Sequence, residues 1–203
     1  MKRIFSNREI VLGVTGSIAA YKACEVASRL TEYGAKVTPV LTKSACELVG
    51  PATFEAICGR AAITHMFAPL QNPDVEHIAV AQRAHLYLIA PATANFIAKA
   101  THGIADDWLT TTLLATRAPI LIAPAMNTNM YEHPATQENM QTLRRRGVHF
   151  IGPDSGRLAC KTLGPGRLID PMKIVEACMP LVSERHDLKG VRIVMTSGGT
   201  HEP

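Results

Sequence analysis

PILIAPAMNTNMYEHP, Pro119 to Pro134, joins an unbroken apolar run to a polar loop. Ile120, Leu121 and Ile122 do not alternate with polar residues, so they read as a strand covered on both faces. The next residues offer the Asn127 amide, the thioethers of Met126 and Met130, and open backbone. Packing alone does not require such a loop behind a buried strand, whereas α/β sheets hold ligands at the carboxyl ends of their strands.

Working outward, Ile10 to Val14 is a second apolar run, closed by Thr15-Gly16-Ser17 and followed by a helical pattern from Ile18 to Tyr33 that Gly34 ends. Lys36 to Thr42 reads as a strand, Ser44 to Val49 and Pro51 to Cys58 as two helical pieces, and Ala61 to Met66 as a short strand. Ala68 to Glu76 carries Pro69, Asn72, Pro73 and Asp74 and is expected to be a loop that delivers His77 ahead of a buried strand. Ala84 to Ala90 is that strand, Pro91 to Asn95 its loop, and Phe96 to Thr101 and Asp106 to Thr116 the next helices. After the opening stretch come a helix from Pro134 to Arg146 and a last core strand from Val148 to Ile151. Strands alternating with helices imply an α/β fold: a Rossmann-like, flavodoxin-like, doubly wound parallel sheet with helices on both faces.

The composition shifts at Gly152. GPDSGRLACKTLGPGR, up to Arg167, surrounds Cys160 with glycine and proline and reads as a substrate flap, followed by a helix from Pro171 to Val182. Ser183 to Gly190 is polar and linker-like, and Val191 to Met195 with TSGGTHEP begins a new strand and Gly-rich turn. The expected organisation is one domain over residues 1–182, with 183–203 a linker and the cut start of another domain.

With 203 residues, 47% hydrophobic and 19% charged, the chain can bury a substantial core. A net charge of +4 gives little support to nucleic acid or membrane partners and mildly favours an anionic small ligand. Cys24, Cys46, Cys58, Cys160 and Cys178 lie far apart without CxxC spacing, which points to free thiols in a reducing, cytoplasmic setting. No apolar run reaches the roughly 18 residues of a bilayer span. No His, Cys and Asp grouping has the close spacing of a structural zinc site, so no metal is expected.

Three turns meet at one sheet edge in this layout, and each has a plain alternative. Gly13-Val-Thr-Gly16-Ser17 departs from GxGxxG but opens a helix whose amides can hold a phosphate; an ordinary capped turn has the same pattern. Thr42 and Ser44 add hydroxyls, or simply cap a helix. Thr93, Ala94 and Asn95 combine small side chains with a hydroxyl and an amide, as either a ring-binding loop or a helix cap. His77 suits a general base if it reaches a transferable proton, and is otherwise one of eight ordinary histidines. Cys160 stands beside Arg157 and Lys161, whose charges are expected to favour its thiolate; an incidental loop thiol is the alternative.

Taken together, GVTGSIAAYK at Gly13 to Lys22, His77-Ile78, APATAN at Ala90 to Asn95, PAMNTNMY at Pro124 to Tyr131 and LACKTLGPGR at Leu158 to Arg167 resemble the homo-oligomeric flavin-containing cysteine decarboxylases. The resemblance covers nearly the whole chain. It implies FMN as cofactor and decarboxylation of phosphopantothenoylcysteine to phosphopantetheine and carbon dioxide, a step of coenzyme A biosynthesis. Loss of carbon dioxide from a saturated carbon needs an electron sink, which oxidation of the substrate cysteine to a thioaldehyde would provide; an enethiolate would follow.

The same resemblance implies FMN contacts at Gly16, Ser17, Ile18, Thr42, Ser44, Thr93, Ala94, Asn95, Phe96 and Ala125. His77 would be the base of the oxidative half, Asn127 the clamp on the substrate carboxylate or amide, and Cys160 the proton donor of the reductive half. Met130, Arg157, Leu158 and Ala159 would line the substrate side, the last three as part of the flap. Tyr131 stands where many members carry tryptophan and Phe96 where a number carry threonine. The resemblance further implies a homo-oligomer, a trimer or a dodecamer of trimers, with active sites shared between subunits. The terminal TSGGTHEP resembles the opening of a CTP-using ligase domain, so ligase activity is not expected of these residues alone. Two rival readings are a Rossmann-like dehydrogenase binding NAD(P), against which the missing GxGxxG counts, and a noncatalytic flavoprotein that regulates a partner, against which the joint presence of His77, Asn127 and Cys160 counts.

Overall fold

A computed structural model describes residues 4–66, 76–182 and 192. Its centre is a five-stranded parallel sheet in the order β2-β1-β3-β4-β5, from β1 (Glu9–Val14), β2 (Lys36–Leu41), β3 (Leu86–Ala92), β4 (Ile120–Pro124) and β5 (His149–Phe150). The chain steps from β1 outward to β2 and then crosses back to β3 on the other side of β1. The loops leaving β1 and β3 therefore diverge at their carboxyl ends, which opens a crevice where such sheets bind ligands.

Period-two alternation in the buried strands divides the core. Ile10, Leu12, Leu86, Leu88 and Ala90 face one layer, packed with Val26, Leu30, Ile174 and Val175 from α1 (Lys22–Glu32) and α9 (Pro171–Val182). Val11, Tyr87, Ile89 and Ile122 face the other, against α4 (Glu76–Arg83), α5 (Ala94–His102), α6 (Trp108–Ala115) and α8 (Pro134–Arg145). Each fully buried side chain of this kind contributes about 1.5–3 kcal/mol. Tyr87 is wholly buried, and its hydroxyl donates to Leu109 O at 2.8 Å, so the one polar atom it carries inward is satisfied.

Several expected boundaries shift. The strand anticipated at Ala61 to Met66 is a single parallel bridge between Val40 and Ile63, because Ile63 alone in that run offers a branched apolar side chain. The helical piece after the second strand closes early, as α2 (Lys43–Cys46), and α3 (Pro51–Cys58) ends on Gly59 in the left-handed region. The loop after β3 shrinks to Thr93, because Pro91 and Ala92 continue the strand and Ala94 already begins α5. The polar loop of the opening stretch contains a one-turn helix, α7 (Thr128–Glu132).

His77 does not sit on a loop running into a strand. It lies in the first turn of α4, where Val80 and Ala81 are buried and form the core-facing side of that helix; Thr116 Oγ1 donates back to Ala81 O at 3.1 Å. The flap is an antiparallel hairpin of β6 (Asp154–Arg157) and β7 (Leu163–Arg167). The linker and the new domain start expected at 183–203 fall outside the described residues, apart from Arg192. Among the described residues, no helix is long and apolar enough to cross a membrane.

Candidate active site

Two cavities adjoin at the carboxyl edge of the sheet. The larger, about 650 Å³, is lined by the β1 loop, by Ala125, Met126 and Asn127 behind β4, and by Arg157, Leu158, Ala159 and Cys160 of the hairpin. The smaller, about 370 Å³, lies between Thr42 to Ser44 and the start of α5, and includes Asn95 and Phe96. Gly16, Thr93 and Met130 line both.

Thr15, a residue that sequence reasoning passed over, sets the width between the two loops. It is buried, and its hydroxyl donates to Pro91 O at 2.8 Å while accepting from the Thr93 N–H at 3.0 Å. One side chain thus ties the end of β1 to the end of β3. Gly16 comes so close to Ser44 that a Cβ at position 16 would collide with the Ser44 Cβ. A small residue at position 16 is required by this backbone approach, and the partner in it, Ser44, is set by the fold.

Capping and ligand binding turn out to be compatible. Ser17 Oγ accepts from Ala19 N–H at 3.4 Å, Thr42 Oγ1 from Ala45 N–H at 3.3 Å and Thr93 Oγ1 from Phe96 N–H at 3.3 Å. Each bond uses an oxygen lone pair and not the hydroxyl hydrogen, so the same groups can donate outward to an anion. Lys99 and Asp106 form an ion pair at 2.7 Å on the rim of the smaller cavity. Hydroxyl donors and helix starts are a donor set that fits the polar, phosphorylated side chain of a flavin, while the Lys43 and Lys99 charges in the smaller cavity are balanced by Asp106 and Asp107.

At the hairpin the structure brings Asn127 and Cys160, 33 residues apart, into contact: Asn127 Nδ2 donates to Cys160 Sγ at 3.3 Å. Asn127 Oδ1 accepts from Asn129 N–H at 2.9 Å, which orients the amide with its NH₂ toward the thiol. Cys160 Sγ also lies 3.0 Å from Thr162 Oγ1. The thiol is held below its ordinary range by the Thr162 hydroxyl first, then by the Thr162 backbone N–H and the Asn127 amide. Hydrogen bonds therefore do what the charges of Arg157 and Lys161 were expected to do. Burial pushes the packed thiols the other way, Cys58 to about 11 and Cys178 to about 12.

The hairpin is seated by its backbone. Met126 N–H donates to Gly166 O at 2.9 Å, and Gly166 has φ 128° and a Cβ there would collide with Met126 O. Gly166→Ala is expected to cost on the order of 1–3 kcal/mol in backbone strain, and the collision adds to it. The hairpin should lift, and the Met126 amide should lose hydrogen-exchange protection while the sheet amides keep theirs.

Gly16, Ser17, Ile18, Thr93 and Ala125 line the larger cavity with Asn127, Met130, Arg157, Leu158, Ala159 and Cys160; Thr42, Ser44, Asn95 and Phe96 line the smaller one. Phe96 is 3% exposed and is chiefly a core residue. Ala94 lines neither cavity and serves as the first residue of α5. His77 lines neither cavity. Lys22 and Arg167 do line the larger one, although both stood unassigned at the ends of quoted motifs. Among the described residues, no cluster of three or more His, Cys, Asp or Glu side chains is arranged to hold a metal ion.

The Flavoprotein family matches residues 2–183, the whole sheet and the hairpin. The chain belongs to the Flavoprotein family. Among its curated relatives, the coenzyme A biosynthesis bifunctional protein CoaBC of Mycolicibacterium smegmatis is 47% identical over 202 residues, covering 98% of this chain and 48% of that protein. The CoaBC of Bacillus subtilis is 46% identical over 202 residues, with 98% and 50% covered. The chain spans about half the length of the curated relatives it matches. Among solved structures, a PPC decarboxylase mutant complexed with pantothenoylaminoethenethiol superposes with TM-score 0.74 at 28% identity, over 84% of this chain and 96% of that one. The FMN-dependent cysteine decarboxylase SpaF gives 0.69 at 35% identity, over 84% and 97%.

Proposed function

We propose that this chain binds FMN and decarboxylates phosphopantothenoylcysteine to phosphopantetheine and carbon dioxide in coenzyme A biosynthesis. The observation that carries the reading is the meeting of Asn127 and Cys160 in a cavity continuous with the Ser17 and Thr93 loops. The CoaBC names of the relatives and the PPC decarboxylase likeness support it. They do not favour a NAD(P) enzyme or a noncatalytic regulator.

Gly16, Ser17, Ile18, Thr42, Ser44, Thr93 and Asn95 would hold the cofactor, with Ala94 and Phe96 supporting the loop and Ala125 closing the inner wall. Bound FMN supplies reversible two-electron oxidation, which turns the substrate's cysteine side chain into an electron sink for loss of carbon dioxide. Asn127 orients the substrate carboxylate or amide without adding negative charge. Cys160 delivers a proton to the product side, and its lowered pKa makes that transfer easier while increasing the thiolate fraction at neutral pH. Arg157, Leu158 and Ala159 exclude water, and Lys22 and Arg167 add positive charge on the wall of the larger cavity.

His77 is the proposed base of the oxidative half. Its place on α4 fits a homo-oligomer, a trimer or a dodecamer of trimers, in which one subunit lends His77 to a neighbour's cavity. Residues 1–182 would be the decarboxylase unit and 183–203 a linker into a ligase domain. The test is direct: the purified protein should be yellow or take up FMN, and mass spectrometry should show carbon dioxide and the thiol product from phosphopantothenoylcysteine. A protein that neither carries flavin nor can be reconstituted with FMN would sink the reading.

A further inference from the structure

The surroundings of Cys160 Sγ are asymmetric in hydrogen-bonding capacity. Asn127 Oδ1 is taken by the Asn129 N–H, so the group it presents to sulfur is its NH₂, which can only donate. The Thr162 backbone N–H also only donates. The Thr162 hydroxyl, 3.0 Å from Sγ, can do either: accept from the thiol S–H or donate to the thiolate. Among the described residues, it is the one hydrogen-bond partner of Sγ able to serve both protonation states. Thr162 and Cys160 are both exposed, so the thiol and the hydroxyl beside it each meet solvent.

The turn that makes this contact is held by backbone bonds. Leu158 N–H donates to Thr162 O at 2.9 Å and Lys161 N–H to Leu158 O at 2.9 Å, with Lys161 at φ 68°. Cys160 and Thr162 thus face the same side across one tight turn at the hairpin tip. The charged groups lining the cavity that Sγ faces are Lys22, Arg157 and Arg167, and Lys161 adjoins in the turn. A change confined to the Thr162 hydroxyl leaves all four in place.

We propose that Thr162 is the positioning residue of Cys160, accepting a hydrogen bond from its S–H in the resting state and donating one to its thiolate after proton transfer. This rests on the reading of Cys160 as proton donor. When the thiol gives its proton to the substrate carbon, the Thr162 hydroxyl donates a hydrogen bond to the thiolate left behind, which regains a proton from solvent water. One solvent proton enters per turnover, and sulfur returns to the thiol.

Thr162→Val removes the hydroxyl at nearly constant shape, and Thr162→Ser keeps it. Peptide-level mass spectrometry of iodoacetamide labelling at Cys160, as a function of pH, reads the thiolate directly in the intact protein. Thr162→Val should move the labelling midpoint upward and slow labelling at pH 7 by at least about threefold, with the high-pH limiting rate unchanged and Thr162→Ser close to wild type. In a single turnover Thr162→Val should delay the thiol product. An unchanged midpoint in Thr162→Val, or a serine variant that behaves like valine, overturns the proposal. Labelling does not depend on turnover, so failure of wild-type protein to release carbon dioxide would overturn the decarboxylase reading separately.

Discussion

Cys160→Ser is expected to release carbon dioxide from phosphopantothenoylcysteine yet form the saturated thiol product roughly 10²–10⁴-fold more slowly, the usual cost of losing a positioned proton donor. Serine is nearly the same size and can keep contacts with Asn127 and Thr162, so the variant should fold and bind as before. Its hydroxyl, however, is a far weaker acid than a thiol that three hydrogen bonds already hold below its ordinary range. Oxidised, decarboxylated material should therefore accumulate on the protein. Mass spectrometry of bound and released species separates the two halves, and full thiol production by Cys160→Ser would remove Cys160 from the reductive step.

His77→Asn is expected to abolish carbon dioxide release itself, by roughly 10²–10⁴-fold, because asparagine preserves size and hydrogen bonding but cannot take up a proton near neutral pH. His77 sits on α4 and lines neither cavity of its own chain. Mixing decides how it reaches the substrate. Inactive His77→Asn and Cys160→Ser proteins, dissociated and reassembled together, should regain part of the full turnover if a neighbour lends His77. No recovery despite mixed assembly would remove the sharing, and carbon dioxide release by His77→Asn at wild-type rate would remove the base.

Both variants test positions legible as motifs, but their surroundings were not equally legible. The run Ile120-Leu121-Ile122 announced a central strand because only a strand covered on both faces tolerates unbroken apolar sequence, and it occupies the sheet between β3 and β5. His77 was expected to follow a loop ahead of a buried strand, since Pro69, Asn72 and Pro73 before it are loop-forming and the eight residues of α4 are too few to display a clear helical period. The Ser17, Thr42 and Thr93 hydroxyls were open between capping and binding. Their geometry shows that the capping bond uses one lone pair and leaves the hydrogen to donate.

Sequence alone determined the alternation of strands and helices and the three polar turns at the strand ends, because periodicity and side-chain type are local properties. Tertiary structure decided which of those residues share a cavity. Strand order β2-β1-β3 sets the Ser17 and Thr93 loops side by side, and buried Thr15 fixes their spacing. Backbone contact between Gly166 and Met126 carries the hairpin onto the loop behind β4, so that Asn127 and Thr162 meet Cys160. Such contacts depend on how separate segments pack to within a few tenths of an ångström, and no single stretch of sequence contains that distance.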